Sequence, residues 1–154
     1  MTIVTSPVSG RVLPLAAVPD PVFAQAMVGV GVAVEPARPE EAGTALEAVA
    51  PVDGVVVAMH PHAFVVVDAE GRGVLTHLGI DTVQLNGEGC VPLARKGDAV
   101  ARGQVVVRWD PAPAEAAGLS LLCPVVGLQA VAGSLTELRG DGLVRAGDRL
   151  FVWR

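Results

Sequence analysis

The chain has 154 residues, of which 51% are apolar, 18% charged and only 3% aromatic, with a mean hydropathy of +0.52. That balance excludes intrinsic disorder, which needs low hydrophobicity and high net charge, and the length suits one domain, 1–154. The net charge of −5, with no Lys/Arg cluster, lacks the basic footprint of a nucleic-acid binder.

The chain reads as short Val-rich runs between turn signals, with 18 Gly and 12 Pro as punctuation. In chain order the predicted strands are Arg11–Leu13, Val28–Val34, Leu46–Ala48, Gly54–Met59, Ala63–Val67, Gly73–Leu78, Val105–Trp109, Cys123–Val126, Gly142–Val144 and Arg149–Trp153. Turns are marked by Ser9-Gly10, Asp53-Gly54, Glu70-Gly71-Arg72-Gly73, Asn86-Gly87-Glu88-Gly89 and Lys96-Gly97-Asp98. Ala112–Ala117, after Pro111, is the only predicted helix, and Ala37–Thr44 reads as an exposed acidic loop. Segments this short and evenly spaced predict an all-β fold, a compact antiparallel β-sandwich or barrel-like hybrid. Two echoes fit either a duplicated hairpin or turn chemistry alone: Pro7-Val8-Ser9-Gly10 with Pro51-Val52-Asp53-Gly54, and Lys96-Gly97-Asp98 with Ala146-Gly147-Asp148.

No window approaches the roughly 18 apolar residues of a membrane span. The N-terminus lacks the basic start and apolar stretch of a signal peptide, and no membrane-associating helix is expected ahead of Ser6-Pro7. Cys90 and Cys123 form neither a CxxC nor a disulfide framework. The expectation is a cytoplasmic protein with two free thiols serving as small apolar residues.

Three histidines carry the chemistry: His60, His62 and His77. His62 opens the Ala63–Val67 strand, and His77 closes the next one after the Glu70–Gly73 turn. Counted about that turn, the legs are unequal, about nine or ten residues against about five or six. Convergence at one end of the sheet and three unrelated histidines both stay open on this count. Two neighbouring imidazoles can bind zinc with further ligands, do acid–base work near neutral pH, or act as nucleophile and helper. A serine hydrolase is poorly supported, because no G-x-S-x-G elbow exists.

His62-Ala63-Phe64, followed fifteen residues on by His77-Leu78-Gly79-Ile80-Asp81-Thr82-Val83, resembles the glucose-type enzyme IIA of the bacterial phosphoenolpyruvate:sugar phosphotransferase system. Ser6-Pro7-Val8-Ser9-Gly10, Val18-Pro19-Asp20-Pro21-Val22-Phe23, Ala50-Pro51-Val52-Asp53-Gly54 and Pro124-Val125-Val126 extend the resemblance, in family order, along nearly the whole chain. It implies an antiparallel β-sandwich and a phosphocarrier. His77 matches the histidine that takes the phosphoryl group, and His62 the one beside it. HPr is the implied donor and the cysteine of a sugar permease's IIB domain the implied acceptor; neither Cys90 nor Cys123 matches that cysteine. Regulated enzymes or transporters are further implied partners. Asp20 and Asp81 match acidic positions facing the carrier's arginine, with Asp81 also placed to cap the turn after it. Val22, Phe23, Leu75 and Leu78 are expected as an apolar rim and docking face. The resemblance requires no cofactor; zinc on His62 and His77 would need ligands from a partner.

The chain departs from the family pattern in its shorter loop before His62 and in His60-Pro61, where a threonine is common. It also carries Leu75 and Ala58 or Met59 where aromatics are frequent. Two other classes compete: a regulatory binding module on the same fold, reporting sugar status, and a LytM-like zinc peptidase. The peptidase lacks its upstream histidine here. A biotinyl or lipoyl carrier is weaker still, since Lys96, the only lysine, has Arg95 and Gly97 as neighbours rather than the usual Met or Asp.

Overall fold

The computed structural model describes residues 1–39, 41 and 43–154. In chain order the strands are β1 (Thr2–Thr5), β2 (Gly10–Pro14), β3 (Gly31–Pro36), β4 (Leu46–Val49), β5 (Gly54–His60), β6 (Ala63–Val67), β7 (Gly73–His77), β8 (Cys90–Pro92), β9 (Ala99–Val100), β10 (Val105–Trp109), β11 (Cys123–Gly127), β12 (Leu135–Thr136), β13 (Leu143–Val144) and β14 (Arg149–Trp153). Two short helices interrupt them, α1 (Pro21–Ala24) and α2 (Ala112–Ala116). A large antiparallel sheet runs β13-β2-β3-β11-β7-β6-β5-β9, and two small ones run β1-β14-β12 and β4-β10-β8. The expected antiparallel β-sandwich is the observed architecture.

The large sheet is apolar on both faces, which explains the near-continuous Val runs. Its inner face joins Phe64, Val66, Val74 and Val125 to Trp109, Leu150 and Phe151 in the main core. Its outer face, around β7 and β11, is covered by a smaller cluster of Leu15, Val18, Phe23, Ala33, Ile80 and Val126. Side chains alternate across a strand, so on β7 Val74 and Thr76 are buried inward while Leu75 and His77 lie outward, half-buried.

Both echoes have a physical cause. A Cβ on Gly10 would stand 2.0 Å from the Glu35 carbonyl oxygen, and one on Gly54 would stand 2.1 Å from that of Val67. Only glycine lets the neighbouring strand approach so closely. In the second echo the Asp98 and Asp148 carboxylates accept from the Arg95 and Arg145 amides at 2.9 and 2.8 Å. The Gly97 and Gly147 amides then donate to the Val56 and Ser6 carbonyls at 2.7 and 2.8 Å. Each turn is locked by its own aspartate and docked on a backbone carbonyl, that of Val56 within β5 or that of Ser6 just after β1.

Several expectations need correction. α1 was not predicted, although Asp20 caps it by accepting from the Val22 amide at 2.8 Å, with Pro21 in the first helical turn; this is ordinary start chemistry. β3 begins at Gly31 rather than Val28, because Gly29 takes φ +146° beside the Gly127 carbonyl. β1, β8, β9 and β12 are two to four residues long and carried no readable alternation. Of the predicted loop Ala37–Thr44, Glu40 and Ala42 lie outside the described residues; Ala37, Arg38, Glu41, Gly43 and Thr44 are exposed.

Candidate functional site

The β6–β7 register decides where the histidines meet. Ala63 pairs with His77 and Val67 with Gly73, so the hairpin is centred on Glu70, not on the later point that made its legs unequal. Asp68 moves the centre: its carboxylate accepts from the Glu70 and Arg72 amides at 3.0 and 2.9 Å, closing the turn early. At the far end Pro61 and His62 form the two-residue turn between β5 and β6, where His60 pairs with Ala63. The Leu78 amide donates to the His62 carbonyl at 2.7 Å, continuing the ladder one step past His77. The rings of His62 and His77 are consequently 5.0 Å apart at 71°. They converge.

His77 is held on three sides. Its Nδ1 meets the Gly79 carbonyl oxygen at 2.5 Å. Since a carbonyl only accepts, Nδ1 carries the proton and the lone pair is left on Nε2. Phe23 of α1 lies edge-on to the ring at 5.3 Å. Gly79 takes φ +74°, and a Cβ there would stand 2.7 Å from Thr82 Cγ2 and 3.0 Å from the Ser120 carbonyl oxygen. The Thr82 hydroxyl donates to the Leu78 carbonyl at 2.7 Å, and the Ile80 amide to the Ser120 carbonyl at 2.9 Å. The segment after His77 is thus folded back tightly, with the Gly79 carbonyl aimed at the ring.

Burial lowers the His77 pKa; the Gly79 hydrogen bond and the Asp20 and Asp81 charges raise it, but burial prevails. His62 is also pushed down, first by burial, then by repulsion from His77 and His60. Both imidazoles rest neutral at neutral pH, as a nucleophile requires. Asp20 is half-buried and Asp81 exposed, in a left-handed conformation at φ +60°. Asp81 makes no capping hydrogen bond, so the capping role expected for it is absent. The two aspartates bring negative charge to His77 without a salt bridge.

The expected rim divides. Val22 is 41% exposed, Phe23 is buried against His77 and Leu75 is half-buried in the outer cluster. Leu78 is 0% exposed and belongs to the main core, so its placement on a docking face is corrected. The residue after the outward-facing His77 turns inward. Two motif residues to which the sequence reading gives no role of their own are contributors: Gly79, which turns its carbonyl onto His77, and Ala63. Ala63 lies between His60 and His77 in one cross-strand row, and its methyl group leaves room for the imidazoles.

Other chemistries find little support. Burial pushes the Cys123 thiol up to about 12 and the Cys90 thiol up to about 11, which keeps both protonated and unreactive. Among the described residues no three His, Cys, Asp or Glu side chains are placed to hold a metal ion. His60 is exposed, its ring 5.9 Å from that of His62, and adds no third ligand. A surface cavity of about 450 Å³ lies elsewhere, lined by Leu13, Glu35, Arg38, Glu115, Ser120 and Leu122 among others. The histidines instead border exposed Val22 and half-buried Leu75, with Asp20 and Asp81 acting on His77, a surface that a macromolecule can approach with its reactive group.

A neutral imidazole with one nitrogen fixed and a second imidazole beside it, on such a surface, defines a group-transfer protein. The family model described as "phosphoenolpyruvate-dependent sugar phosphotransferase system, EIIA 1" matches residues 2–131. The PTS system glucose-specific EIIA component of Oceanobacillus iheyensis is 40% identical over 125 residues, 80% of this chain and 72% of that protein. The corresponding component of Haemophilus influenzae is 40% identical over 121 residues, 77% of this chain and 69% of its own. The solved structure of glucose permease IIA from Mycoplasma capricolum superposes with a TM-score of 0.84 at 29% identity, covering 97% of this chain and 93% of that one. The chain belongs to the EIIA 1 family of the phosphoenolpyruvate-dependent sugar phosphotransferase system. It is a phosphohistidine-carrying phosphotransferase, working between HPr and a IIB component in sugar uptake.

Proposed function

We propose that His77 is the phosphoryl-accepting nucleophile and His62 the group that stabilises the phosphoryl in transit. The observation that carries this is the hydrogen bond from His77 Nδ1 to the Gly79 carbonyl, which leaves the Nε2 lone pair for attack. The P–N bond of phospho-HPr breaks as the Nε2 lone pair forms a new one; in the onward step the IIB cysteine thiolate forms a P–S bond as the P–Nε2 bond breaks and Nε2 regains its lone pair. The transition state is loose and spreads charge over three oxygens, so positioned donors and cations decide the rate. His62, at 5.0 Å, becomes such a cation once the phosphoryl charge offsets its burial. The apolar surroundings of Phe23, Leu75 and Val22 keep water from the P–N bond.

Docking is assigned to Asp20, Val22, Phe23, Leu75 and Asp81, with the two carboxylates orienting a basic partner surface. Such rim charges set encounter rate and register more than affinity. Residues 1–154 act as one domain: β14, beyond the family match, pairs with β1 inside it. Glucose as the sugar follows the names of the relatives, and a cytoplasmic location follows from the partners. No helix of the described residues is long and apolar enough to cross a membrane. Two imidazoles leave a tetrahedral zinc ion short of ligands, so zinc would bind here only with ligands from a partner and water.

Incubation with phosphoenolpyruvate, enzyme I and HPr, followed by mass spectrometry, should place one acid-labile phosphate on His77. His77→Gln should take up none. His62→Gln should still accept from HPr but pass the group onward about 10²-fold more slowly in single-turnover assays with IIB. Uptake by His77→Gln with none by His62→Gln would reverse the two roles.

A further inference from the structure

The two peptide groups that flank Gly79 are tied at both ends, and the ties decide where the Gly79 carbonyl points. In the Leu78–Gly79 peptide the carbonyl accepts from the buried Thr82 hydroxyl at 2.7 Å, and the amide is turned to the buried Cys123 sulfur. In the Gly79–Ile80 peptide the amide donates to the Ser120 carbonyl at 2.9 Å, and the carbonyl meets His77 Nδ1. Ser120 and Cys123 belong to the segment leading into β11, whereas Thr82 follows directly on the turn itself. The geometry points to Thr82 as a positioning residue for phosphoryl transfer: it acts through the Leu78–Gly79 peptide, keeping the Gly79 carbonyl on His77 Nδ1 and so leaving Nε2 free to take the phosphoryl group.

A peptide group turns as one plate, and plates beside a glycine turn most readily because glycine takes either sign of φ. This turn needs holding. Gly79 stands at φ +74° and Asp81 at φ +60°, two left-handed residues within three positions. The second is not a glycine, and such a conformation persists only where its surroundings impose it. Thr82 imposes it twice. Its hydroxyl fixes the Leu78 carbonyl, and its Cγ2 fills the space where a Cβ on Gly79 would stand, 2.7 Å away. A threonine hydroxyl bonded four residues back is common inside helices, where it only competes for a carbonyl the helix already uses. Leu78 to Asp81 is a turn and not a helix, so here the bond closes the turn. A neutral imidazole can carry its proton on either nitrogen, and an acceptor facing one of them makes the choice. With the Gly79 carbonyl swung away, part of the His77 population holds the proton on Nε2 and has no lone pair there to attack phosphorus. The proposal rests on His77 being the phosphorylated residue.

Two substitutions separate the hydroxyl from the shape: Thr82→Val keeps the methyl group and removes the hydroxyl, and Thr82→Ser does the reverse. Nitrogen-15 NMR of the imidazoles at about pH 8.5, where histidine is neutral, reads which His77 nitrogen holds the proton. The wild type and Thr82→Ser should show it on Nδ1, and Thr82→Val a mixture of both tautomers. Single-turnover acceptance from phospho-HPr should fall about tenfold in Thr82→Val and stay within about twofold of the wild type in Thr82→Ser. Denaturant melts should show both variants weakened, so that lost stability alone cannot divide them. If Thr82→Val does not fold, Thr82→Ala takes its place against Thr82→Ser, since those two differ only in the hydroxyl. A hydroxyl-free variant with the wild-type tautomer and acceptance overturns the inference, as does a Thr82→Ser protein as impaired as the hydroxyl-free one. A wild type carrying no phosphate on His77 overturns the reading of the site instead, and the tautomer then still decides whether Thr82 orders the ring.

Discussion

The β6–β7 hairpin carries ionisable side chains at both ends, and the two ends treat them in opposite ways. At the turn, Asp68 accepts from the Thr2 hydroxyl and from the Glu70 and Arg72 amides. Arg72 bridges Glu70 at 2.9 Å, donates to the Trp153 carbonyl at 2.8 Å and stacks over the Trp153 ring. Every charge there is answered, and the network ties β1 and β14 to the turn. At the open end three imidazoles stand together with one hydrogen bond among them, to Gly79. Paired charges do structural work. The neutral imidazoles of His62 and His77 await a charge that arrives from outside.

The sharpest way to break this contrast is at Gly79, whose carbonyl orders the open end. Gly79→Ala forces a side chain into φ +74° with a Cβ 2.7 Å from Thr82 Cγ2 and 3.0 Å from the Ser120 carbonyl oxygen. The cost should be about 2 kcal/mol of stability in denaturant melts, and the carbonyl should swing from Nδ1. Phosphoryl acceptance should fall about tenfold or more even where the protein remains folded, because the tautomer is no longer fixed. Normal acceptance in a folded Gly79→Ala protein would show that the Nδ1 bond is incidental.

Acid separates the two ends next. The folded state holds His62 and His77 below the ordinary imidazole value of 6.5. The unfolded chain therefore takes those protons first, and stability should decline as pH falls below about 6.5. Burial nudges Asp68 upward, but hydrogen bonds from Thr2, Arg72 and Glu70, with the Arg72 charge, hold it below its ordinary 3.8. The turn end should thus keep its stabilisation until pH falls past that value and lose it further down. Thermal melts from pH 8 to pH 3 should show two stages. The His62→Gln/His77→Gln pair should remove the upper one and Asp68→Asn the lower, with Asp68→Asn still accepting phosphate from HPr. A single-stage profile, or loss of phosphorylation in Asp68→Asn, would mean that the two ends are not independent.

The hairpin also explains what could be read in advance. The strands that surround the histidines were visible because β5, β6, β7 and β11 are Val-rich runs, three of them with a glycine at one end. The motif around His77 was visible because Gly79, Asp81 and Thr82 sit at fixed steps from it. The convergence of His62 with His77 was not, since it depends on Asp68 pulling the turn forward. An aspartate closing a turn looks the same in sequence as any solvated one. Leu78 shows the same limit: expected on the docking face with Leu75, it is turned into the core one step past the outward-facing His77. α1 was lost to its length, although its cap and proline were in plain view.

The smallest expected effect lies one residue from the nucleophile, on the other face of β7. Thr76 is 0% exposed, opposite Phe64, and its hydroxyl finds no hydrogen-bond partner. A buried, unpaired hydroxyl forfeits its hydration for nothing in return, whereas a methyl of the same shape forfeits nothing. Thr76→Val should therefore stabilise the protein by about 1 kcal/mol in denaturant melts. Because the side chain points into the core while His77 points away from it, phosphoryl acceptance from HPr should be unchanged. Destabilisation would mean that the hydroxyl has a partner in solution, an ordered water being the obvious one. A change in acceptance would mean that the two faces of the strand are coupled through the backbone, and that the open end reaches one residue deeper than the imidazoles suggest.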